Sequence, residues 1–152
     1  MADAYSVANS VLWRSFEEDI DMTPMKLQKM VYFLYADYLS KTGRMLFDER
    51  FETWKYGPVL KSLYNEFKKY GANAIKEFAC GEDGIAYVIS EKTSPEFKES
   101  LDKIWNKYKS YDGVFLSSIT HRNGTAWWKA ASKKEPYLND MDIRQDINAY
   151  EC

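Results

Sequence analysis

Pro24-Met25-Lys26-Leu27-Gln28-Lys29-Met30-Val31-Tyr32-Phe33-Leu34-Tyr35-Ala36-Asp37-Tyr38-Leu39-Ser40-Lys41-Thr42 decides how this chain folds. Thr23 stands before it as an N-cap hydroxyl. Pro24 suits the first helical position, where its missing N–H would have no helical acceptor. Gly43 follows as a natural residue to end the helix. The spacing predicts a helix over 24–42 with Leu27, Met30, Val31, Leu34, Tyr35 and Tyr38 on one stripe. Tyr32, Phe33, Ala36 and Leu39 extend the apolar surface nearly all round. A helix apolar on most sides belongs in the middle of a bundle. The expected fold is therefore mainly α: a compact multi-helix bundle around this central helix.

Working outward, the same periodicity predicts a helix from about Ser6 to Glu18, carrying Ala8, Val11, Leu12 and Ser15 on one face. Gly57-Pro58 reads as a helix start, with a third helix over Val59–Tyr70 ended by Gly71. Ser94-Pro95 reads as another start, for a helix to about Tyr111 with Phe97, Leu101, Ile104, Trp105 and Tyr108 inward. Shorter helices are expected over Gly113–His121, Ala126–Ser132 and Met141–Tyr150. The last carries Met141, Ile143, Ile147 and Tyr150, with Asp140 as its cap. Arg50–Tyr56 is rich in aromatic and β-branched residues and reads as a short strand. Ile85–Ser90, with Ile75–Cys80 across Gly81-Glu82-Asp83-Gly84, reads as a small hairpin beside the bundle. No repeat, low-complexity tract or Gly/Ser linker divides the chain, so one domain over 1–152 is expected.

The composition can fill such a core. Hydrophobic residues are 45% of the 152 and aromatics 16%, which excludes global disorder. Cys80 and Cys152 are too few for a disulfide framework and fit a reducing cytosol. Met1-Ala2-Asp3-Ala4 has no basic region leading into an apolar stretch, and the longest apolar run, Met30 to Ala36, falls far short of the ~20 residues of a membrane span. A cytoplasmic protein is expected. The net charge of −2, from 21 basic and 23 acidic residues, lacks the excess that binding to nucleic-acid phosphates requires. Lys129, Lys133 and Lys134 read as a wet helix face.

Catalytic chemistry finds little to stand on. His121 is the only histidine, no zinc spacing occurs, and no nucleophile elbow, P-loop or dinucleotide fingerprint is present. Neither a metal nor a cofactor is expected. Cys80 with His121 is the one thiol–imidazole pair the composition allows; a lone Cys near a turn is more often a small hydrophobe. Glu66-Phe67-Lys68 and Glu96-Phe97-Lys98 have the acidic-x-Lys spacing of some nucleases. Both lie in helical pattern, where residues i and i+2 do not face each other.

Three blocks resemble a known family. They are Lys26-Leu27-Gln28-Lys29-Met30-Val31-Tyr32-Phe33, then Glu52-Thr53-Trp54-Lys55-Tyr56-Gly57-Pro58-Val59, then Leu116-Ser117-Ser118-Ile119-Thr120-His121 followed by Trp127. Their content, order and spacing resemble the Panacea antitoxin domain, also described as SocA-like or phage-associated GepA-like. Ala126 departs from the proline expected before the tryptophan; either residue suits a first helical turn. The resemblance implies an antitoxin that binds and neutralises a protein toxin, encoded by a neighbouring gene, with no catalytic residue and no cofactor. Some members carry a separate DNA-binding module, for which 152 residues leave no room. The alternative is a phage- or prophage-encoded factor that binds a host protein or nucleic acid. Whether the chain forms a homo-oligomer is left open.

The candidates for partner contact are Trp54, Lys55, Tyr56, His121, Trp127 and Trp128. On an alternating strand Trp54 and Tyr56 would point the same way, and large aromatics are commonly buried, so core is the preferred reading over interface. His121 reads as a histidine at a helix C-terminus bonding a terminal carbonyl. Trp127 and Trp128 lie about 100° apart on a helix, so one of them must sit at the core edge or outside it.

Overall fold

Thr23 caps the central helix through its hydroxyl, which accepts from the Lys26 N–H at 3.2 Å, and Gly43 closes it in the left-handed conformation. In the computed structural model, which describes residues 2–149, this helix, α2 (Pro24–Thr42), packs against most of the other elements. Tyr32, Phe33, Leu34 and Ala36 are fully buried, as nearly all-round apolarity requires.

Seven α-helices form among the described residues: α1 (Ala4–Glu18), α2, α3 (Lys61–Phe67), α4 (Pro95–Tyr108), α5 (Gly113–Thr120), α6 (Ala126–Ser132) and α7 (Asp140–Ala149). The α2 helix touches α1, α3, α4, α5 and α7. The mainly α bundle around 24–42 is therefore the observed fold. Tyr32 and Phe51 meet edge to face at 5.0 Å, and Phe33 stacks on Tyr108 at 4.5 Å. Aromatic pairs of this kind add to what area burial alone contributes. Two buried carboxylates bind the helices together. Asp37 of α2 accepts from Ser100 Oγ at 2.7 Å and meets Lys103 Nζ at 3.0 Å, both on α4. Asp146 of α7 accepts from the Tyr32 hydroxyl and from the Ala126 N–H at the start of α6. Tyr150 and Cys152 lie outside the described residues, as does the side chain of Ile147.

The β element is an antiparallel hairpin of β1 (Glu52–Trp54) and β2 (Gly57–Val59). Gly57-Pro58 is therefore not a helix start. Pro58 sits opposite Thr53 in the ladder, Gly57 has φ +113°, and the third helix begins only at Lys61, running through a 3-10 turn at Lys68–Tyr70 to Gly71. The hairpin expected over 75–80 and 85–90 does not form. Asn9 of α1 takes its backbone groups instead: Nδ2 donates to the carbonyls of Ala79 (2.9 Å) and Tyr87 (3.0 Å), and Oδ1 accepts from the Ala79 N–H (2.8 Å). Both segments are held to the helix, not to each other. Two helix caps also differ from the sequence reading. Ser94 makes no side-chain capping bond, and Asn139, not Asp140, accepts the Asp142 N–H at 2.9 Å.

Asn9 is fully buried and holds a long irregular stretch. Replacing it with alanine leaves three backbone groups without partners, so Asn9→Ala is expected to cost about 2–3 kcal/mol. In hydrogen exchange, the Ala79 amide should lose its protection while amides in α2 keep theirs. Equal protection of Ala79 in both chains would refute the role given to Asn9.

Candidate partner-binding face

The short turn Trp54-Lys55-Tyr56, joining β1 to β2, has its three successive carbonyls held by three different side chains. Trp127 Nε1 donates to the Trp54 carbonyl at 2.7 Å. His121 Nε2 lies 2.8 Å from the Lys55 carbonyl. Ser117 Oγ donates to the Tyr56 carbonyl. The next stretch is fixed from the other side by α2. Lys29 Nζ donates to the Pro58 carbonyl at 3.0 Å, while the Gln28 side-chain amide both donates to the Leu60 carbonyl (3.0 Å) and accepts the Leu60 N–H (2.9 Å). The three sequence blocks thus converge. The first and third hold the backbone of the second.

Gly57 is needed at the centre of this arrangement. Its φ of +113° lies where L side chains rarely go, and a Cβ there would stand 2.6 Å from Thr120 Oγ1 and 2.9 Å from Lys29 Cε. The backbone approaches both α2 and α5 because no side chain intervenes.

With their backbone held, the turn's side chains face outward. Tyr56 is 57% exposed, Lys55 is exposed, and Trp54 is half-buried. The preferred reading of both aromatics as core is thus corrected: β1 stops at Trp54, so strict alternation never reaches Tyr56. Trp54 packs edge-on against Tyr64 at 4.7 Å and donates its indole N–H to Glu52 at 3.0 Å. Of the adjacent tryptophans, Trp127 is half-buried against the His121 ring at 3.9 Å, while Trp128 is 39% exposed. His121 does follow the last turn of a helix, its Nδ1 lying 2.6 Å from the Ser117 carbonyl. Both ring nitrogens face carbonyl oxygens, and a neutral ring can donate to only one of them.

Beside the turn lies a cavity of about 480 Å³ with largely apolar walls, among them Met25, Trp54, Val59, Leu63 and Tyr64. Lys29 reaches its floor, only 1% exposed. Burial pushes its amine down to about 7. Lys26 on the same helix is also lowered by burial, against the opposing pull of Asp112 and Asp21, and donates to the Lys109 carbonyl at 2.6 Å.

Sequence reasoning did not single out Gln28, Lys29 or Ser117. A signal existed for the first two. On the stretch of a helix that is apolar nearly all round, a polar residue flanked by buried neighbours is carried inside and must find a partner there.

His121 is engaged by Ser117, Lys55 and Trp127, and Cys80 is exposed in the loop held by Asn9. Among the described residues no group of three or more His, Cys, Asp or Glu is placed to hold a metal. No helix among them is long and apolar enough to cross a membrane.

Comparison with known proteins agrees with the three blocks. Residues 27–128 match the family model described as "Antitoxin SocA-like, Panacea domain". The antitoxin SocA of Caulobacter vibrioides (strain NA1000 / CB15N) is 29% identical over 128 residues, covering 82% of this chain and 68% of that protein. No solved structure matches. The family match runs from the second residue of the first block to the tryptophan pair and takes in about two thirds of the sequence. The chain belongs to the SocA-like, Panacea-domain antitoxin family.

Proposed function

We propose that this chain acts in the cytoplasm as an antitoxin, neutralising a protein toxin encoded by a neighbouring gene through stoichiometric binding, without catalysis. The contact face is the outward side of the Trp54-Lys55-Tyr56 turn together with the exposed Trp128. One observation carries this reading: the side chains of Ser117, His121 and Trp127 lie within hydrogen-bonding distance of three successive carbonyls of that turn, while Tyr56 and Lys55 project into solvent. Preorganised aromatics lose little freedom when a partner arrives, which is how a few residues come to dominate an interface. In this reading His121, Trp127 and Ser117 are positioning residues, and Trp54, Lys55, Tyr56 and Trp128 meet the partner. A standard interface buries about 800 Å² per partner, which a domain of this size supplies.

The test is co-expression with the product of the adjacent reading frame. The parent chain should restore growth and copurify in equimolar complex. A Tyr56→Ala/Trp128→Ala chain, both positions being exposed, should fold normally yet weaken the complex about tenfold or more and lose rescue. A Trp13→Ala chain, altered at an exposed tryptophan of α1, should behave as the parent. Rescue undiminished by the double substitution removes this face from the proposal; no rescue and no complex with the parent chain removes the antitoxin role itself.

A further inference from the structure

The cavity beside the turn has an uneven charge. Lys29, Lys55 and Lys68 line it, and no Asp or Glu does. At its rim Lys61 lies over the rings of Trp54 (5.2 Å) and Tyr64 (5.8 Å). The chain as a whole is acidic, with a net charge of −2, and several of its cations pair with carboxylates. Arg14 pairs with Glu91 and Asp102, Lys41 and Lys103 with Asp37, Lys109 with Glu18, and Lys129 with Asp142. Lys55, Lys61 and Lys68 make no ion pair among the described residues. An apolar hollow ringed by unpaired ammonium groups is complementary to an apolar side chain flanked by carboxylates.

We propose that this groove receives a short acidic segment of a partner polypeptide, in which an aromatic or aliphatic side chain enters between Trp54, Leu63 and Tyr64 while neighbouring Asp or Glu residues meet Lys55, Lys61 and Lys68. The inference rests on the protein-binding reading above and specifies the chemistry of the bound segment. The hollow, about 480 Å³, is the size of a small-molecule pocket and holds one or two large side chains. A nucleic-acid strand is the poorer fit. Its charges repeat along a line and call for an extended basic track, whereas these lysines lie beside largely apolar walls. A second copy of this chain, whose Glu82 and Asp83 are exposed beside exposed Ile85 and Tyr87, is the rival occupant, and the oligomeric state decides between them.

A random-peptide display library selected on the full chain tests this directly. The enriched peptides should combine an aromatic or aliphatic residue with flanking Asp or Glu. By fluorescence polarisation, the strongest peptide should bind a Lys55→Glu/Lys61→Glu/Lys68→Glu chain at least about tenfold more weakly, and added salt should weaken binding to the parent. A Tyr64→Ala chain should also bind it less well while keeping its salt dependence. All four positions are exposed, so the variants should melt as the parent does. A neutral or basic consensus, no enriched peptide, or binding unchanged by the charge reversal overturns the proposal. So does a single-stranded oligonucleotide that binds more tightly than the peptide through the same lysines, or light scattering that shows a dimer lost in the charge-reversed chain. Failure here leaves the growth rescue and its dependence on Tyr56 and Trp128 untouched. Peptide binding that holds while rescue fails instead counts against the antitoxin role alone.

Discussion

A Lys29→Met chain is expected to be more stable than the parent by about 2–4 kcal/mol near neutral pH and below, and to lose that advantage towards pH 10. Lys29 is buried in the folded chain with its amine pushed down to about 7 from an ordinary 10.5. A difference of that size corresponds to about 5 kcal/mol. The sign follows from proton counting. Between about pH 7 and 10.5 the unfolded chain holds the Lys29 proton and the folded chain does not, so stability rises with pH across that window. Below it the full cost of burying the ammonium is present. Methionine matches the length of the stem and removes the cost, but it also removes the bond to the Pro58 carbonyl, which returns about 1–3 kcal/mol. Urea unfolding of both chains across this range gives the comparison. Burial also lowers Lys26, and burial together with Asp140 raises the Tyr35 hydroxyl. Both remain in the two chains, so their difference reports Lys29. Equal stability at every pH would show that the amine is not desolvated in solution. A buried cation at a site where methionine would pack well is the kind of local cost that folds retain where function requires it.

Gly57→Ala should lose about 3 kcal/mol or more. Two costs add. The backbone holds φ at +113°, and the new methyl meets Thr120 Oγ1 at 2.6 Å and the Lys29 stem at 2.9 Å. Neither neighbour gives way freely, because Thr120 donates to the Ser117 carbonyl and Lys29 to that of Pro58. Gly84→Ala provides the comparison. Gly84 also has positive φ (+74°), but nothing lies within 4 Å of its added carbon, and a loss of only about 1 kcal/mol is expected there. Denaturant midpoints measured side by side decide the matter. If the two substitutions cost the same, the crowding around Gly57 is not real. Because Gly57 lies between the turn and the helices that hold it, its substitution should also disturb the presentation of Tyr56.

The centre of the fold was legible because its signal is local. Thr23, Pro24, Gly43 and the apolar positions between them state where α2 begins, ends and lies, and no distant residue changes that reading. The hairpins show the opposite. Gly-Pro fits a helix start and an edge strand equally well, and only the docking of β2 against Gln28 and Lys29 decides between them. Ile75–Cys80 and Ile85–Ser90 looked like paired strands until Asn9, some seventy positions earlier, took the backbone groups that pairing would have used. The site divides along the same line. His121 at a helix end was visible in sequence; its second contact, with the Lys55 carbonyl, was not. Tyr56 was assigned to the wrong side because a strand three residues long ends before alternation can place it.

The bond between the Tyr32 hydroxyl and Asp146 spans 114 positions, and this affects how the protein is born. On a ribosome adding about 5–20 residues per second, the middle helix would emerge on the order of ten seconds before the segment that seals it. During that interval a long greasy cylinder has no complete cover. Chaperones and proteases that patrol nascent chains therefore meet the molecule while this helix is still uncovered, before α7 docks on it.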